Sequence, residues 1–297
     1  MAYLPLSTAN LPDPAINPAQ GSSPADYFNT VTYTGTGADN DITGVGFQPD
    51  FVWIKSRGAD RWHQMFDVIR GQYDFLSSNT TNEGIYDVAT LESFDSDGFN
   101  LNTSNRVNGS SEAYVAWNWK ANGSGVSNTD GSITSTVSAN TESGFSIVSY
   151  TGTGANATVG HGLEAVPELI LIKSREDGGS NWAVYSAVIG AAKNYFLNST
   201  NDADTDGAIF FNSTTPTSSV FTLGGSGAGQ VNESGETFIA YCFASKEGFS
   251  KFSSYVGDAS GNSDSNFVYL GFRPAFVMIK ADVNNSPWLM FDQRETH

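Results

Sequence analysis

The chain has 297 residues and a net charge of −17, from 31 acidic and 14 basic side chains. Nucleic-acid binding needs clustered lysine and arginine, and an anionic membrane surface repels a chain of this charge, so the balance speaks against both targets. Aromatic residues make up 13% of the chain, which is enough to build hydrophobic cores and speaks against a disordered body.

A proline-rich segment occupies residues 1–30. Half of the ten prolines of the sequence fall in it, namely Pro5, Pro12, Pro14, Pro18 and Pro24. Proline lacks the backbone N–H that a sheet ladder uses, so we predict an extended arm here rather than strands. The sequence leaves two interpretations open: a disordered leader, or an arm that docks the chain onto a partner or a symmetry mate.

The rest of the chain repeats one pattern. Each of three copies contains an apolar strand that ends in lysine, at Phe51–Lys55, Leu169–Lys173 and Phe276–Lys280. The lysines are 118 and 107 residues apart, which is the size of a domain and too long for a solenoid or propeller repeat. The first two copies share an opening motif and a closing aromatic strand, at Tyr33–Ala38 and Tyr150–Ala155 and at Tyr114–Trp119 and Phe238–Phe243.

Within the copies, short β-branched and aromatic runs alternate with clusters of Gly, Asn, Asp and Ser, and a 3.6-residue apolar period is almost absent. We predict an all-β fold of tandem antiparallel β-sandwiches, of jelly-roll or lectin-like kind, behind the extended N-terminal arm. The predicted units are a first sandwich over residues 31–122, a polar linker or strand-exchange segment over 123–145, a second sandwich over 146–249 and an incomplete third repeat over 250–297.

The third copy has no closing aromatic strand after Trp288. Half a sandwich cannot bury its own apolar face. We therefore expect this copy either to continue in a longer native chain, which is the interpretation we favour, or to be completed by a neighbouring molecule.

A tryptophan follows the lysine of each copy within nine residues: Trp62, Trp182 and Trp288. We align Trp62 with Trp182, and Phe66 with Tyr185. Core packing is the simpler role for these side chains, and a sugar-stacking or partner-facing role is the alternative, because an amphipathic aromatic face suits both. For the lysines, we expect a strand-end charge that reaches water.

Three alternating carboxylates, Asp202, Asp204 and Asp206, precede Gly207 as in the first half of a calcium loop. The twelfth position is Ser213 instead of a bidentate glutamate, and no helix is predicted beside the loop. An exposed acidic turn is the stronger interpretation, and calcium is the one cofactor that the sequence suggests.

The chain contains three histidines, His63, His161 and His297, and none occupies matching positions in the two complete repeats. A histidine-based catalytic triad is therefore not a shared feature of these domains. The sequence also has no nucleophile elbow, phosphate loop or zinc-protease motif. We predict that the protein is not an enzyme.

Several longer stretches of the sequence resemble a family of repeat-bearing structural proteins from phages of marine bacteria. They are Tyr33–Ala38, Gly46–Lys55, Ser93–Phe99, Tyr114–Trp119, Asn128–Val137, Thr214–Phe221 and Gly271–Val277. The resemblance covers roughly residues 25–297. It implies a virion component of tail-fibre-like kind, and the family offers no active site to transfer to this chain.

We therefore expect a phage virion protein, assembled in the host cytoplasm, that forms part of a tail fibre or host-recognition appendage. The arm would bind other virion proteins, and the chain would form a homo-oligomer, with a trimer as the first expectation. Host surface polysaccharide is a further expected partner. A capsid-decorating or head-fibre protein is the main alternative, and a carbohydrate-binding module or a polysaccharide depolymerase is the alternative of another class.

Overall fold

A computed structural model of the chain describes residues 22–257 and 266–294. The predicted all-β fold is confirmed, and the sheets are antiparallel throughout. No helix in these residues is long and apolar enough to cross a membrane. Most of the predicted arm, residues 1–21, lies outside the described part of the chain; a 3-10 helix at Pro24–Asp26 leads into the first strand.

Repeat 1 is a sandwich of a six-stranded and a three-stranded sheet. Its elements are β1 (Phe28–Thr34), β2 (Asn40–Thr43), β3 (Phe51–Ser56), β4 (Gln64–Asp67), β5 (Gly71–Leu76), β6 (Ile85–Tyr86), β7 (Leu91–Asp95), β8 (Gly98–Leu101), α1 (Asn105–Asn108) and β9 (Ala113–Trp119). The large sheet has the order β1-β9-β3-β4-β5-β6 and the small one β2-β8-β7. Between them lies a buried core that includes Val52, Phe66, Phe99 and Tyr114.

Repeat 2 has the same plan. Its elements are β10 (Val126–Asn128), β11 (Ser135–Asn140), β12 (Phe145–Thr151), β13 (Ala157–Gly160), β14 (Leu169–Ser174), β15 (Ala183–Ser186), β16 (Tyr195–Phe196), α2 (Gly207–Phe210), β17 (Val220–Leu223), α3 (Gly229–Asn232) and β18 (Thr237–Phe243). The large sheet has the order β10-β11-β12-β18-β14-β15-β16, and β13 and β17 form the small sheet above a second core.

Two predicted boundaries move. The segment predicted as a linker or strand-exchange segment, residues 123–145, supplies β10, β11 and the start of β12, and β11 pairs with β12 along its length. Repeat 2 therefore begins near residue 126 instead of 146. Likewise β1 begins at Phe28, so the last three residues of the predicted arm belong to the first sandwich.

Repeat 3 contributes one hairpin to the described structure, formed by β19 (Phe276–Ile279) and β20 (Leu289–Asp292). Strand pairing identifies this hairpin as the counterpart of β3–β4 and β14–β15. Trp53 pairs with Met65, Leu171 with Val184 and Met278 with Met290. The same places can thus be compared in all three repeats.

Candidate functional site

The large sheets of repeats 1 and 2 pack against each other and against the hairpin of repeat 3, through the faces that point away from the two sandwich cores. This central cluster contains Phe51, Trp53, Trp117 and Trp119 of repeat 1, Leu171, Trp182, Val184 and Tyr241 of repeat 2, and Phe276, Met278, Trp288 and Met290 of repeat 3. The central strands of repeats 1 and 2 are consequently buried on both faces. That double burial accounts for the four consecutive apolar residues of β3.

One hydrogen bond recurs between the repeats. The indole Nε1 of Trp182 donates to the backbone oxygen of Ser77 in repeat 1, at 2.9 Å. The indole Nε1 of Trp288 donates to the backbone oxygen of Phe196 in repeat 2, at 3.0 Å. Ser77 and Phe196 lie at the same place in their repeats, two residues before Asn79 and Asn198. The side chains of these two asparagines are equivalent, because Asn79 accepts from the N–H of His63 and Asn198 from the N–H of Trp182, each just before the second strand of its hairpin. The two tryptophans therefore join successive repeats in the same way.

The alignment of Trp62 with Trp182 is wrong by one residue. His63, Trp182 and Trp288 each lie two positions before the strand partner that the hairpins share. His63 is thus the counterpart of the two interface tryptophans, and Trp62 is an extra aromatic residue. The alignment of Phe66 with Tyr185 is confirmed by the same pairings.

A second contact recurs beside the tryptophans. The backbone N–H of Gly84 donates to the backbone oxygen of Arg175, at 2.8 Å, and that of Ala203 donates to Oδ1 of Asp282, at 2.9 Å. Arg175 and Asp282 both lie two residues after the strand-end lysine. The guanidinium of Arg175 also pairs with the carboxylate of Asp74 across the interface, at 3.0 Å. Repeat 2 docks on repeat 1 as repeat 3 docks on repeat 2.

A buried polar network completes the contact between repeats 1 and 2. The hydroxyl of Tyr241 donates to Oδ2 of Asp67 at 2.8 Å, and Nη2 of Arg70 donates to the same hydroxyl at 3.1 Å. Arg70 and Asp67 form an ion pair at 2.6 Å whose side chains are both fully buried. Burial alone would lower the pKa of Arg70, but the Asp67 carboxylate, with Tyr241 and Asp74, outweighs it and raises that pKa. The charge pair is therefore compensated inside the interface.

The corresponding contact between repeats 1 and 3 closes a ring. Trp117 is the counterpart of Tyr241, and its Nε1 donates to Oδ2 of Asp292, the counterpart of Asp67, at 3.1 Å. Nε of Arg294 also donates to the backbone oxygen of Thr30, at 3.2 Å. The bonds donated by Trp182 and Tyr241 thus run from repeat 2 to repeat 1, the bond donated by Trp117 runs from repeat 1 to repeat 3, and the bond donated by Trp288 runs from repeat 3 to repeat 2. The three repeats are arranged cyclically within one chain.

Each strand-end lysine bonds the loop that follows its strand, and in repeats 2 and 3 that loop takes part in the contacts between repeats. Nζ of Lys55 donates to the backbone oxygen of Arg61 at 2.8 Å, and Nζ of Lys280 to that of Ser286 at 2.7 Å. Lys173 donates to the backbone oxygen of Asp177 and is fully buried, so the expectation that this charge reaches water is wrong. Burial lowers the pKa of Lys173 to about 8.

The shared opening motif is a backbone turn that a buried asparagine holds. Oδ1 of Asn108 accepts from the N–H of Thr36 at 2.8 Å, while its Nδ2 donates to the carbonyl oxygens of Ala38 and Asn102 at 2.5 and 2.7 Å. A Cβ on Gly35 would lie 2.2 Å from the backbone oxygen of Gly109, the residue after Asn108. The motif therefore needs glycine for a close backbone approach.

Repeat 2 holds its motif in the same way. Asn232 bonds the N–H of Thr153 at 2.8 Å and the carbonyl oxygens of Ala155 and Gly224 at 2.7 and 2.6 Å. Asn108 and Asn232 were not among the residues singled out from the sequence. Each follows a valine and lies five residues before the closing strand. This Val-Asn dipeptide at a matching position in both repeats is the sequence signal that could have identified the two asparagines.

The three aspartates of the calcium hypothesis make separate contacts and do not converge on one point. Oδ1 of Asp202 accepts from the N–H of Asn285 in repeat 3, at 3.0 Å, and Oδ1 of Asp204 from the N–H of Thr205, at 2.6 Å. Asp206 precedes the short helix α2. Over residues 22–257 and 266–294, no group of three or more His, Cys, Asp or Glu side chains is arranged to hold a metal ion. The described geometry favours a turn that contacts repeat 3.

The three tryptophans occupy different environments. Trp182 is fully buried between repeats and Trp288 is partly buried, so their indoles face other repeats of the same chain. Trp62 is 43% exposed and lies beside a cleft of about 300 Å³. The remaining residues that line this cleft are Asp60, Arg61, Gln64, Asn105 and Arg106. Among the three, Trp62 has the surface that a ligand could reach.

His63 lies behind this cleft and is held by aromatic side chains. Nε1 of Trp53 donates to Nδ1 of His63 at 2.9 Å, and the imidazole stacks on the indole of Trp117 with an interplanar angle of 20°. Burial, together with the nearby Lys55 ammonium, lowers the pKa of His63 to about 4. The imidazole is therefore neutral at pH 7 and acts as a hydrogen-bond acceptor.

A comparison with family models matches residues 23–297, nearly the whole chain, to a family described as "Domain of unknown function (DUF7483)". No curated protein and no solved structure matches the chain. The matched residues include all three repeats.

Proposed function

We propose, from the premise that the chain belongs to the DUF7483 family, that this protein is a structural component of a phage virion, in a tail fibre or another host-recognition appendage. The resemblance of its motifs to repeat-bearing phage structural proteins supports the virion assignment. The cyclic arrangement of the repeats is the structural observation that supports a scaffold role. In it, the aromatic and charged side chains that the repeats share join one repeat to the next.

The arrangement suits a part that must keep its shape under load. Repeats 1 and 2 each have their own core, and a third cluster buries the outward faces of their large sheets and one face of the repeat 3 hairpin. Relative motion of two repeats would expose aromatic surface and would leave buried polar atoms without partners, and both effects cost free energy. A rigid body of this kind presents its loops at fixed positions.

The proposal includes two kinds of partner, which are other virion proteins and further copies of this chain. The N-terminal arm would attach the body to other virion proteins. A trimer of chains would place several bodies side by side, and weak contacts on each could then add up to useful avidity on a cell surface. Particles would assemble in the host cytoplasm.

Immunogold labelling of intact virions tests the proposal, with an antibody raised against residues 146–249. We expect gold at the tail. Gold spread over the head would overturn the appendage assignment and would favour the alternative of a capsid-decorating protein. Intact particles without label, in a preparation where disrupted particles are labelled, would overturn an exposed position on the virion.

A second candidate function is carbohydrate binding at Trp62. The repeat pattern does not require this indole, because its counterpart in repeat 2 is Asn181, and the lining of its cleft offers both charged and amide groups. An exposed aromatic face beside such groups is a common arrangement for stacking a sugar ring. Host envelope polysaccharide is the ligand that we propose.

Calorimetric titration of the polysaccharide tests this candidate. We expect Trp62→Ala to weaken binding at least tenfold, while Tyr86→Ala, which removes another exposed aromatic side chain, leaves it unchanged. Equal affinities for the two variants and the unmodified chain would overturn a site at Trp62. Release of reducing sugar during the titration would favour the depolymerase alternative.

A further inference from the structure

We propose that the open edge of β19 is an acceptor for a seven-residue β-strand with the side-chain alternation of β9 and β18. The binding is distinct from virion attachment and from sugar binding. It would add a strand to repeat 3 through backbone hydrogen bonds, which is an established mode of peptide recognition.

The comparison of the three repeats locates the open edge. In repeat 1, β3 lies between β9 and β4, and in repeat 2, β14 lies between β18 and β15. Within the described residues, β19 pairs with β20 alone. An unpaired edge presents a row of backbone N–H and C=O groups that is a template for another strand.

Burial of the hairpin gives independent support. Phe66 and Tyr185 are 0% and 1% exposed, whereas Phe291 at the same place in repeat 3 is 44% exposed. Leu289 is 47% exposed, whereas its counterpart Gln64 is 1% exposed. The opposite face of the hairpin is packed, because Phe276 and Met278 contact the central cluster. The hairpin is thus docked on the body but uncovered on the side where repeats 1 and 2 have a sandwich core.

Strands β9 and β18 define the chemistry of the occupant. Positions that face the central cluster are Val115, Trp117 and Trp119 in β9, and Ile239, Tyr241 and Phe243 in β18. Positions that face the sandwich core are Tyr114 and Ala116 in β9, and Phe238, Ala240 and Cys242 in β18. The expected occupant therefore alternates bulky apolar residues on one face with an aromatic and small residues on the other.

Register and one specific contact follow from the same comparison. Both closing strands run antiparallel to their neighbours, and their last aromatic residue pairs with the first residue of the central strand. The occupant would accordingly run antiparallel to β19, with its last aromatic residue opposite Phe276. Its middle aromatic residue would lie against Ser186, the counterpart of Asp67 and Asp292.

Two other occupants fit the edge less well. The proline-rich N-terminal arm cannot make a continuous ladder, because proline has no N–H to donate. A second copy of β19 would supply four residues instead of seven and would lack the aromatic residue that the ring contact uses. A strand of the β9 and β18 type would pair with the open edge of β19, add apolar side chains beside the exposed face of the hairpin and place an aromatic residue against Ser186.

The probe for this site is a synthetic peptide of residues 236–244, which contains β18, with Cys242→Ser and a fluorescent label. We expect it to bind the full chain and to slow hydrogen exchange at Phe276–Ile279. The same peptide with an N-methyl group on Ile239 is the matched control, because it keeps every side chain but removes an N–H from the edge that pairs with the central strand in repeat 2. We expect its affinity to be at least tenfold lower.

Three results would overturn the proposal. One is equal affinity of the two peptides, which would indicate adhesion to an apolar surface without strand pairing. Another is slow exchange at β19 without peptide in a dimeric sample, which would assign the edge to a second copy. The third is slow exchange at β19 without peptide in a monomeric sample, which would assign it to another segment of the same chain.

Discussion

The indole of Trp182 is bonded to the backbone oxygen of Ser77, and this contact between repeats 1 and 2 is repeated by Trp288 and Phe196 between repeats 2 and 3. The acceptor in each case is a main-chain atom, so the bond tolerates a different residue at the acceptor position. Both contacts use an indole N–H of one repeat as the donor and a backbone oxygen at a strand end of the preceding repeat as the acceptor. An array of homologous units can therefore keep its geometry while its surface varies.

Replacement of Trp182 by Phe tests the contribution of this contact. The variant removes the indole donor from the Ser77 oxygen, which keeps only a longer bond from the N–H of Thr80, and it creates a small cavity, so we expect the free energy of unfolding to fall by about 1–3 kcal/mol. Trp62→Phe is the control, since an exposed position should cost less than about 0.5 kcal/mol. Denaturant titration measures both. Equal stability of the two variants would contradict a structural role for the indole N–H.

The buried network around Asp67 gives a second test. Removal of one partner of a buried ion pair leaves the other charge uncompensated, so we expect Asp67→Asn to destabilise the protein by about 3–5 kcal/mol. Tyr241→Phe removes one donor and should cost about 1–2 kcal/mol. Because the Tyr241 hydroxyl bonds Oδ2 of Asp67 itself, Asp67→Asn and Tyr241→Phe disrupt the same contact, and the double variant should cost less than the two single variants together. Strict additivity would show that the two repeats do not cooperate through this network.

The fold class, the repeats and the aromatic strands could be predicted from the sequence, because they follow from the local alternation of apolar and polar residues and from short motifs that recur along the chain. The apolar run Phe51–Lys55 predicted a strand, and the structure places that strand between a sandwich core and the central cluster. The alignment by tryptophans failed because similarity of side chains was weighed above strand register. His63 replaces a tryptophan in repeat 1, so the most conspicuous residue nearby, Trp62, was aligned in its place.

The cyclic packing of the repeats could not be predicted, because it depends on pairs far apart in the sequence. Tyr241 and Asp67 are 174 residues apart, and Trp117 and Asp292 are 175 apart. Neither member of such a pair carries a local signature. The linker was also misjudged, since the polar composition of residues 123–145 concealed the alternation that lets β11 pair with β12.

The asparagine that holds the opening motif gives a third test. Asn108→Ala would remove the buried side chain that bonds the N–H of Thr36 and the carbonyl oxygen of Asn102 and that is one of two donors to the carbonyl oxygen of Ala38, and we expect a loss of about 1–3 kcal/mol. Asn201→Ala, at an exposed position, should change stability by less than about 0.5 kcal/mol. Thermal and denaturant unfolding compare the two. A small effect of Asn108→Ala would show that water replaces the side chain in holding the turn.

Calcium gives a fourth test. Asp202 and Asp204 already accept backbone hydrogen bonds, one of them from repeat 3, so we expect the melting temperature to be the same in calcium and in a chelator. Asp202→Ala should instead weaken the docking of repeat 3 and speed hydrogen exchange in β19. A rise in melting temperature with calcium that Asp202→Ala abolishes would contradict this expectation and would restore the metal hypothesis.

The last test is the pH dependence that His63 confers. Its pKa is about 4 in the folded protein against 6.5 for an unperturbed histidine. Between these values the unfolded chain binds a proton that the folded protein does not, so stability is retained above pH 6.5 and falls as the pH decreases toward 4, by at most about 3 kcal/mol. His63→Gln keeps an acceptor for Trp53 but has no titrating group, and its stability should fall less over the same range. Unfolding measured at pH 7, 5.5 and 4.5 compares the two proteins, and the difference between their slopes isolates the histidine from the carboxylates that titrate in both. Identical slopes would mean that His63 is as accessible to protons in the folded protein as in the unfolded chain, which would contradict its position against Trp53 and Trp117.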